Sequence, residues 1–183
     1  MTNILGLSGS LRRKSFNTGV LHAAAGLAPD GVTIDARTIH GVPLYDADLE
    51  AEGTPEAVRA LREALSAADG LLMVTPEYNN SLPGVFKNAI DWIGSGEGAK
   101  LFAGKPVALI GASPGGFGTI LSQNAWLPVL RTLGARPWFE GRLMISKASG
   151  LFDEDGRLVD ENTRQRLAEF VAGFAQSITS HDA

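Results

Sequence analysis

Ser10-Leu11-Arg12-Arg13-Lys14-Ser15-Phe16-Asn17 joins two segments of different apolar rhythm. Before it, Ile4-Leu5-Gly6-Leu7 is a short continuous apolar run, as in a buried strand. After it, Phe16, Val20, Leu21, Ala24 and Leu27 recur at helical spacing. A strand, a loop of small hydroxyl residues and a helix together build an anion site, because the free N–H groups and positive end of the helix point back into the loop. Ser8, Ser10, Ser15, Asn17 and Thr18 add side-chain donors, and Arg12 adds a forked cation suited to phosphate. A capped helix behind a solvated basic loop is the competing reading, since Ser and Asn are common caps.

The spacing narrows the kind of phosphate. A Walker loop needs G-x-x-x-x-G-K-[ST]; Lys14-Ser15 mimics its end, but Arg13 stands where the second glycine belongs. A dinucleotide fingerprint needs G-x-G-x-x-G, whereas Gly6 and Gly9 are followed by no glycine until Gly19. Asp35, near the end of a second strand, leaves a weak case for a ribose-binding acid. A hydroxyl-rich loop without those glycines suits a terminal monophosphate, which needs a cup of donors rather than close passage over bare backbone.

Composition sets the outer limits. A chain of 183 residues, 44% hydrophobic and 20% charged, is expected to be one domain over 1–183 with an ample core. A net charge of −4 argues against a general nucleic-acid binder; the cluster Arg12-Arg13-Lys14 is local. The absence of cysteine excludes disulfides, thiolate metal sites and a thiol nucleophile. His22, His40 and His181 are far apart in sequence, and none falls in a loop expected to bind. No apolar run approaches membrane-spanning length and no signal-peptide pattern opens the chain, so the cytoplasm is the expected location, with no membrane partner.

The rest of the chain alternates strand with helix. Val32–Ala36 reads as a second strand; residues 38–54 read as irregular, their Tyr45, Asp46, Asp48, Glu50 and Glu52 forming a solvated acidic loop. Thr54-Pro55-Glu56 starts a helix, with Thr54 as cap and Pro55 in the first position. Leu71–Val74 and Val107–Ile110 are continuous apolar runs, the pattern of parallel strands covered on both faces. Further expectations are a helix over about 127–133 ending at Gly134, a fifth strand near 136–139, a turn at Asp155-Gly156 and a closing helix over 161–178. These elements predict a doubly wound five-stranded parallel sheet in a three-layer α/β/α sandwich.

In such a sheet the ligand sits beyond the carboxyl ends of the strands, where strand order reverses, so loops 10–17, 75–82 and 112–119 are expected to meet. Pro76-Glu77-Tyr78-Asn79-Asn80-Ser81 could read a planar heteroaromatic ring, or serve as a plain turn in which Ser81 caps the next helix and Pro83 starts it. In that helix Lys87 and Asp91 have the less favourable polarity for a local ion pair, which leaves Asp91 for another partner or for the surface. Ser113-Pro114-Gly115-Gly116-Phe117-Gly118 can bring bare backbone to a flat ligand or be a flexible surface loop.

The chain resembles the NADPH-dependent FMN reductase family of flavodoxin-like fold, which includes quinone, chromate and azo-dye reductases. The likeness rests on Gly9-Ser10-Leu11-Arg12-x-x-Ser15-x-Asn17, on Thr75-Pro76-Glu77-Tyr78-Asn79 and on Pro83-Gly84-x-Phe86-Lys87-Asn88-Ala89-Ile90-Asp91-Trp92. The resemblance implies that Ser10, Arg12, Ser15 and Asn17, with Phe16 beside them, hold an FMN phosphate. It places Pro76, Glu77, Tyr78 and Asn79 against the isoalloxazine and Ser113 near it. It implies a homodimer, or a tetramer, with the flavin at a subunit border. Trp92, Ile93, Trp126 and the 41–53 loop are expected to supply apolar surface for that border. The uncharged run 119–126 departs from relatives that carry polar tetramer contacts there.

On this reading no side chain is catalytic and no metal is involved: bound FMN carries the electrons from NADPH or NADH to a small acceptor by a ping-pong sequence. The alternative is an FMN-binding electron carrier serving a protein partner.

Overall fold

The computed structural model describes residues 1–180; His181 lies outside them. The elements run β1 (Thr2–Ser8), α1 (Phe16–Gly26), β2 (Val32–Thr38), α2 (Ala47–Glu52), α3 (Glu56–Ala67), β3 (Gly70–Val74), α4 (Gly84–Gly94), β4 (Pro106–Ala112), α5 (Ile120–Thr132), β5 (Arg136–Pro137), β6 (Leu143–Ile145) and α6 (Glu161–Thr179). All strand pairings are parallel, in the order β2-β1-β3-β4-β5, with β6 also on β4. Helices cover both faces. Among the described residues no helix is long and apolar enough to cross a membrane.

The apolar runs work as continuous runs should: neighbouring residues serve opposite cores. Ile4, Leu72, Val74 and Ile110 face the layer of α1 and α6, with Val20, Leu21, Phe170 and Phe174. Leu5, Leu7, Leu71 and Met73 face α3, α4 and α5, with Leu65, Phe86, Ile90 and Trp126. Each such side chain, once withdrawn from water, contributes about 1.5–3 kcal/mol of transfer free energy. The order also puts β1 and β3 side by side, so the loops after them leave in opposite directions round the sheet and open a crevice.

Six expectations need correction. The fifth strand is two pieces: β5 pairs with Pro106 and Val107, β6 with Ile110 to Ala112, and the chain bulges between Pro137 and Leu143. Trp138 explains the break, because its ring turns into the α6 layer, 5.0 Å from the Phe170 ring and 5.6 Å from that of Phe174. The acidic segment is not irregular; Asp46 caps α2 through a bond from Asp48 N. Helix α3 starts at Glu56 with Pro55 as the cap position, and α5 starts at Ile120, well before 127, and carries Pro128 within it. Lys87 and Asp91 do pair locally, at 2.6 and 2.8 Å. Trp92, Ile93 and Trp126 are fully buried and supply no outer surface.

The strap that includes α2 is fastened to α4. Asn88 accepts from Tyr45 N at 2.8 Å and donates to Pro43 O at 2.7 Å, while Trp92 Nε1 donates to the same carbonyl at 2.9 Å. Arg62 closes the end of α4 by donating to Trp92 O (2.7 Å), Ser95 O (3.0 Å) and Ile93 O (3.2 Å). The carboxylate of Glu50 accepts from Ser95 (2.6 Å), Tyr45 (3.0 Å) and Arg62 (3.3 Å), and these bonds, that from Ser95 foremost, hold its pKa below the ordinary value.

Candidate flavin site

The first loop is shaped by hydroxyls. Gly9 begins it because a Cβ there would lie 2.1 Å from the Phe86 ring. Ser15 caps α1, its Oγ accepting from Asn17 N at 3.2 Å and Thr18 N at 3.4 Å. Ser10 Oγ accepts from Arg12 N at 3.3 Å. Both oxygens are used as acceptors, which leaves each serine its O–H to donate. Ser10 and Ser15 are buried, at 3% and 4% exposure, so a ligand there meets a desolvated donor set. Arg12 lies over the Phe16 ring, its Cζ 4.9 Å from the centroid.

Asn17 has a structural partner besides any ligand. Its Oδ1 accepts from Ala112 N at 2.8 Å and its Nδ2 donates to Ala112 O at 2.9 Å. These bonds tie the first loop to the end of β4 and use only one of the two Nδ2 hydrogens. His40 also reaches the first loop, contrary to expectation: its Nε2 donates to Leu11 O at 3.2 Å and its Nδ1 accepts from Thr38 Oγ1 at 3.0 Å. It braces the loop from outside.

The loop after β3 is a tight hairpin. Tyr78 and Ser81 exchange two main-chain bonds of 3.1 Å, and Asn79 and Asn80 between them have φ of 50° and 60°. Two positive values in a row define a type I′ turn, for which an Asn pair is a fitting sequence. Ser81 closes that turn and does not cap α4, whose cap position is Pro83. Glu77 turns its carboxylate away to accept from Leu121 N (2.9 Å) and Ser122 N (3.1 Å). Helix α5 has no side-chain cap of its own at Thr119, so Glu77 caps it from 44 residues upstream. Below, Thr75 Oγ1 bonds Ser122 Oγ at 2.8 Å and accepts from Trp126 Nε1 at 3.0 Å. Ser113 Oγ donates to Gly118 O at 2.6 Å, which closes the fourth loop on itself.

These loops enclose a depression of about 300 Å³ lined by Ser10, Arg12, Ser15, Phe16, Asn17, Pro76, Glu77, Tyr78 and Ser113, with Ala112 and Pro114. Of the residues expected at the site, only Asn79 is absent from this lining; it sits at the hairpin tip. The donor set fits FMN. Two serine hydroxyls, a guanidinium and a helix N-terminus converge at one end, as a monophosphate requires, and restricted backbone from two loops forms the other. A support behind this lining was not anticipated: Phe152 stacks on Phe16 with ring centroids 5.0 Å apart, and Lys14 Nζ donates to Glu154 O at 2.9 Å. The signal for it was faint, a turn dipeptide at Asp155-Gly156 and an aromatic three residues before.

The chain belongs to the NADPH-dependent FMN reductase family, whose description matches residues 2–150. It is therefore a flavin-dependent oxidoreductase, with FMN as cofactor and NAD(P)H as reductant, rather than a carrier of electrons between proteins. Its relatives include an NAD(P)H-dependent FMN reductase of Pseudomonas aeruginosa, 46% identical over 91% of this chain and 89% of that one. A 2-hydroxy-1,4-benzoquinone reductase of a Burkholderia species is 41% identical over 91% of each. Among solved structures, the flavoenzyme NAD(P)H:acceptor oxidoreductase FerB of Paracoccus denitrificans superposes with a TM-score of 0.86 at 33% identity, covering 99% of both chains. The flavodoxin-like fold expected from the sequence is the fold observed.

Proposed function

We propose that residues 1–183 act as one FMN-binding domain that reduces small quinones by two electrons, NAD(P)H and quinone taking turns at one open face. The observation that carries this reading is the depression at the strand ends, walled by loops along one side and open to solvent on the other. A flat cofactor seated against those walls leaves one face for visitors. The quinone reductases among the relatives support the choice of acceptor.

When bound, FMN would supply the two-electron redox chemistry between nicotinamide and acceptor, which no side chain here can provide. The residues of the chain do the holding. Arg12, Ser10, Ser15 and the N-terminus of α1 neutralise and bond the phosphate, while the main chain of 76–78 and Ser113 seat the ring. Tyr78, 47% exposed at the rim, offers an aromatic face to an incoming flat molecule. No side chain has to surrender a proton, because water reaches the open side.

Initial rates at several quinone concentrations, plotted as double reciprocals against NADPH and against NADH, should give parallel lines. Intersecting lines would place both substrates on the enzyme together and overturn the shared face. Failure of both nicotinamides to reduce the FMN-loaded protein would overturn the reductase reading itself.

A homodimer, as the smallest working form, is part of the proposal. Leu44 is 81% exposed although the backbone on both sides of it is pinned to α4, and Val85 lies exposed on the same helix. A rigidly presented exposed leucine suits a partner subunit. Sedimentation showing a fully active monomer at micromolar concentration would reject it. The cytoplasm, where NAD(P)H is regenerated, is the proposed compartment.

A further inference from the structure

The hairpin 152–158 lies beyond residues 2–150, the part that matches the family. It is well built: Phe152 and Leu158 pair across it, and Asp153 Oδ1 accepts from Asp155 N at 3.0 Å and Arg157 N at 2.8 Å. It is pressed against α1 at Gly19, where a Cβ would lie 2.3 Å from Gly156 O and 2.9 Å from the Phe152 ring. Any larger residue at 19 would lift the hairpin off the helix. That contact sits one turn along α1 from the loop that holds the phosphate.

Two links run from the hairpin into that loop. The first is a column: Phe152 under Phe16 at 5.0 Å, with an interplanar angle of 34°, and Phe16 under the Arg12 guanidinium at 4.9 Å. The second is Lys14, tied to Glu154 O at 2.9 Å. Arg12 is exposed and has no carboxylate partner among the described residues, so the Phe16 face is what restrains it. Phe16 is itself only half-buried and leans on Phe152.

We propose that the hairpin 152–158 buttresses the phosphate-binding loop from behind, and that Phe152 is a positioning residue which, through Phe16, holds Arg12 where the FMN phosphate arrives. A long flexible cation loses rotamer freedom when it binds; a guanidinium already stacked has lost part of it beforehand. The effect belongs to the phosphate and not to the ring. This inference rests on the FMN reading of the site.

The test uses the full chain stripped of flavin and titrated with FMN and with riboflavin, which has the ring and lacks the phosphate. Phe152→Ala should weaken FMN roughly three- to tenfold and leave riboflavin unchanged. Phe152→Tyr, which keeps the aromatic face, should restore FMN binding. Combined with Arg12→Ala, Phe152→Ala should add little further loss, because the two act through one contact. Gly19→Ala, which shifts the hairpin without emptying the core, should show the same FMN-selective loss, and it decides the matter if Phe152→Ala does not fold. Equal loss of FMN and riboflavin, or full additivity with Arg12→Ala, would overturn the proposal and make Phe152 a packing residue. Wild-type protein that fails to take up FMN would instead sink the site reading.

Discussion

Replacing Glu77 by alanine removes both bonds that close the start of α5, those from Leu121 N and Ser122 N. Loss of a side-chain cap costs about 0.5–2 kcal/mol. Loss of a negative charge at a helix N-terminus costs about 0.3–1 kcal/mol. The two overlap, so the expected destabilisation is about 1–2.5 kcal/mol, or a fall in Tm of roughly 2–10 °C for a chain of this size. Glu77→Gln separates the contributions, since its amide oxygen can still accept both bonds while the charge is gone. It should lose only the smaller, electrostatic share. The loop it anchors also carries the ring-binding backbone, so Glu77→Ala should weaken FMN and riboflavin by the same factor. Thermal unfolding of the flavin-free protein, followed by titration with both flavins, measures all of this. An alanine variant with wild-type Tm, or a glutamine variant as damaged as the alanine one, would refute the cap.

Arg12→Ala should weaken FMN binding roughly 10- to 100-fold, the equivalent of about 1.5–3 kcal/mol for a charge-assisted bond, with riboflavin unaffected; equal affinities would make Arg12 a solvated residue. Thr75→Val should cost about 1–3 kcal/mol in urea unfolding, because the buried Trp126 N–H, 3.0 Å from Thr75 Oγ1, loses its acceptor; an unchanged midpoint would be the contrary result. The Glu50 network sets a pH dependence of known sign: its folded pKa is lowered, so its contribution is present above the ordinary value of 4.5 and is lost as pH falls through the lowered one. The hydrogen-exchange protection factors of the strap 43–52, corrected for the intrinsic exchange rate at each pH, should therefore fall in acid, and Glu50→Gln should abolish that dependence.

Much of the fold was written locally. Leu71-Leu72-Met73-Val74 announced a strand covered on both faces because consecutive side chains of a strand point to opposite sides, and both sides proved buried. That a small hydroxyl or amide residue of the first loop would cap α1 was equally legible, since a cap needs only amides two and three residues ahead; the residue is Ser15. The three loops that line the depression could be named in advance because an alternating pattern fixes which strand ends share an edge.

What escaped the sequence is what depends on partners far along the chain. Asn17 lines the depression, but nothing local showed that its amide also bonds Ala112, 95 residues away. Glu77 lines it too, and nothing local showed that its carboxylate caps a distant helix. The fifth strand looked continuous, but its chain leaves the sheet after Trp138, whose ring packs against Phe170 and Phe174 of the distant α6. Gly19 looked like a failed fingerprint and is where a hairpin lies against a helix. Periodicity records which face of an element is buried, because that is set one residue at a time. It carries no record of which other element covers that face, and so the bracing of Arg12 by Phe152, and the commitment of each polar side chain, were decided only when the layers closed.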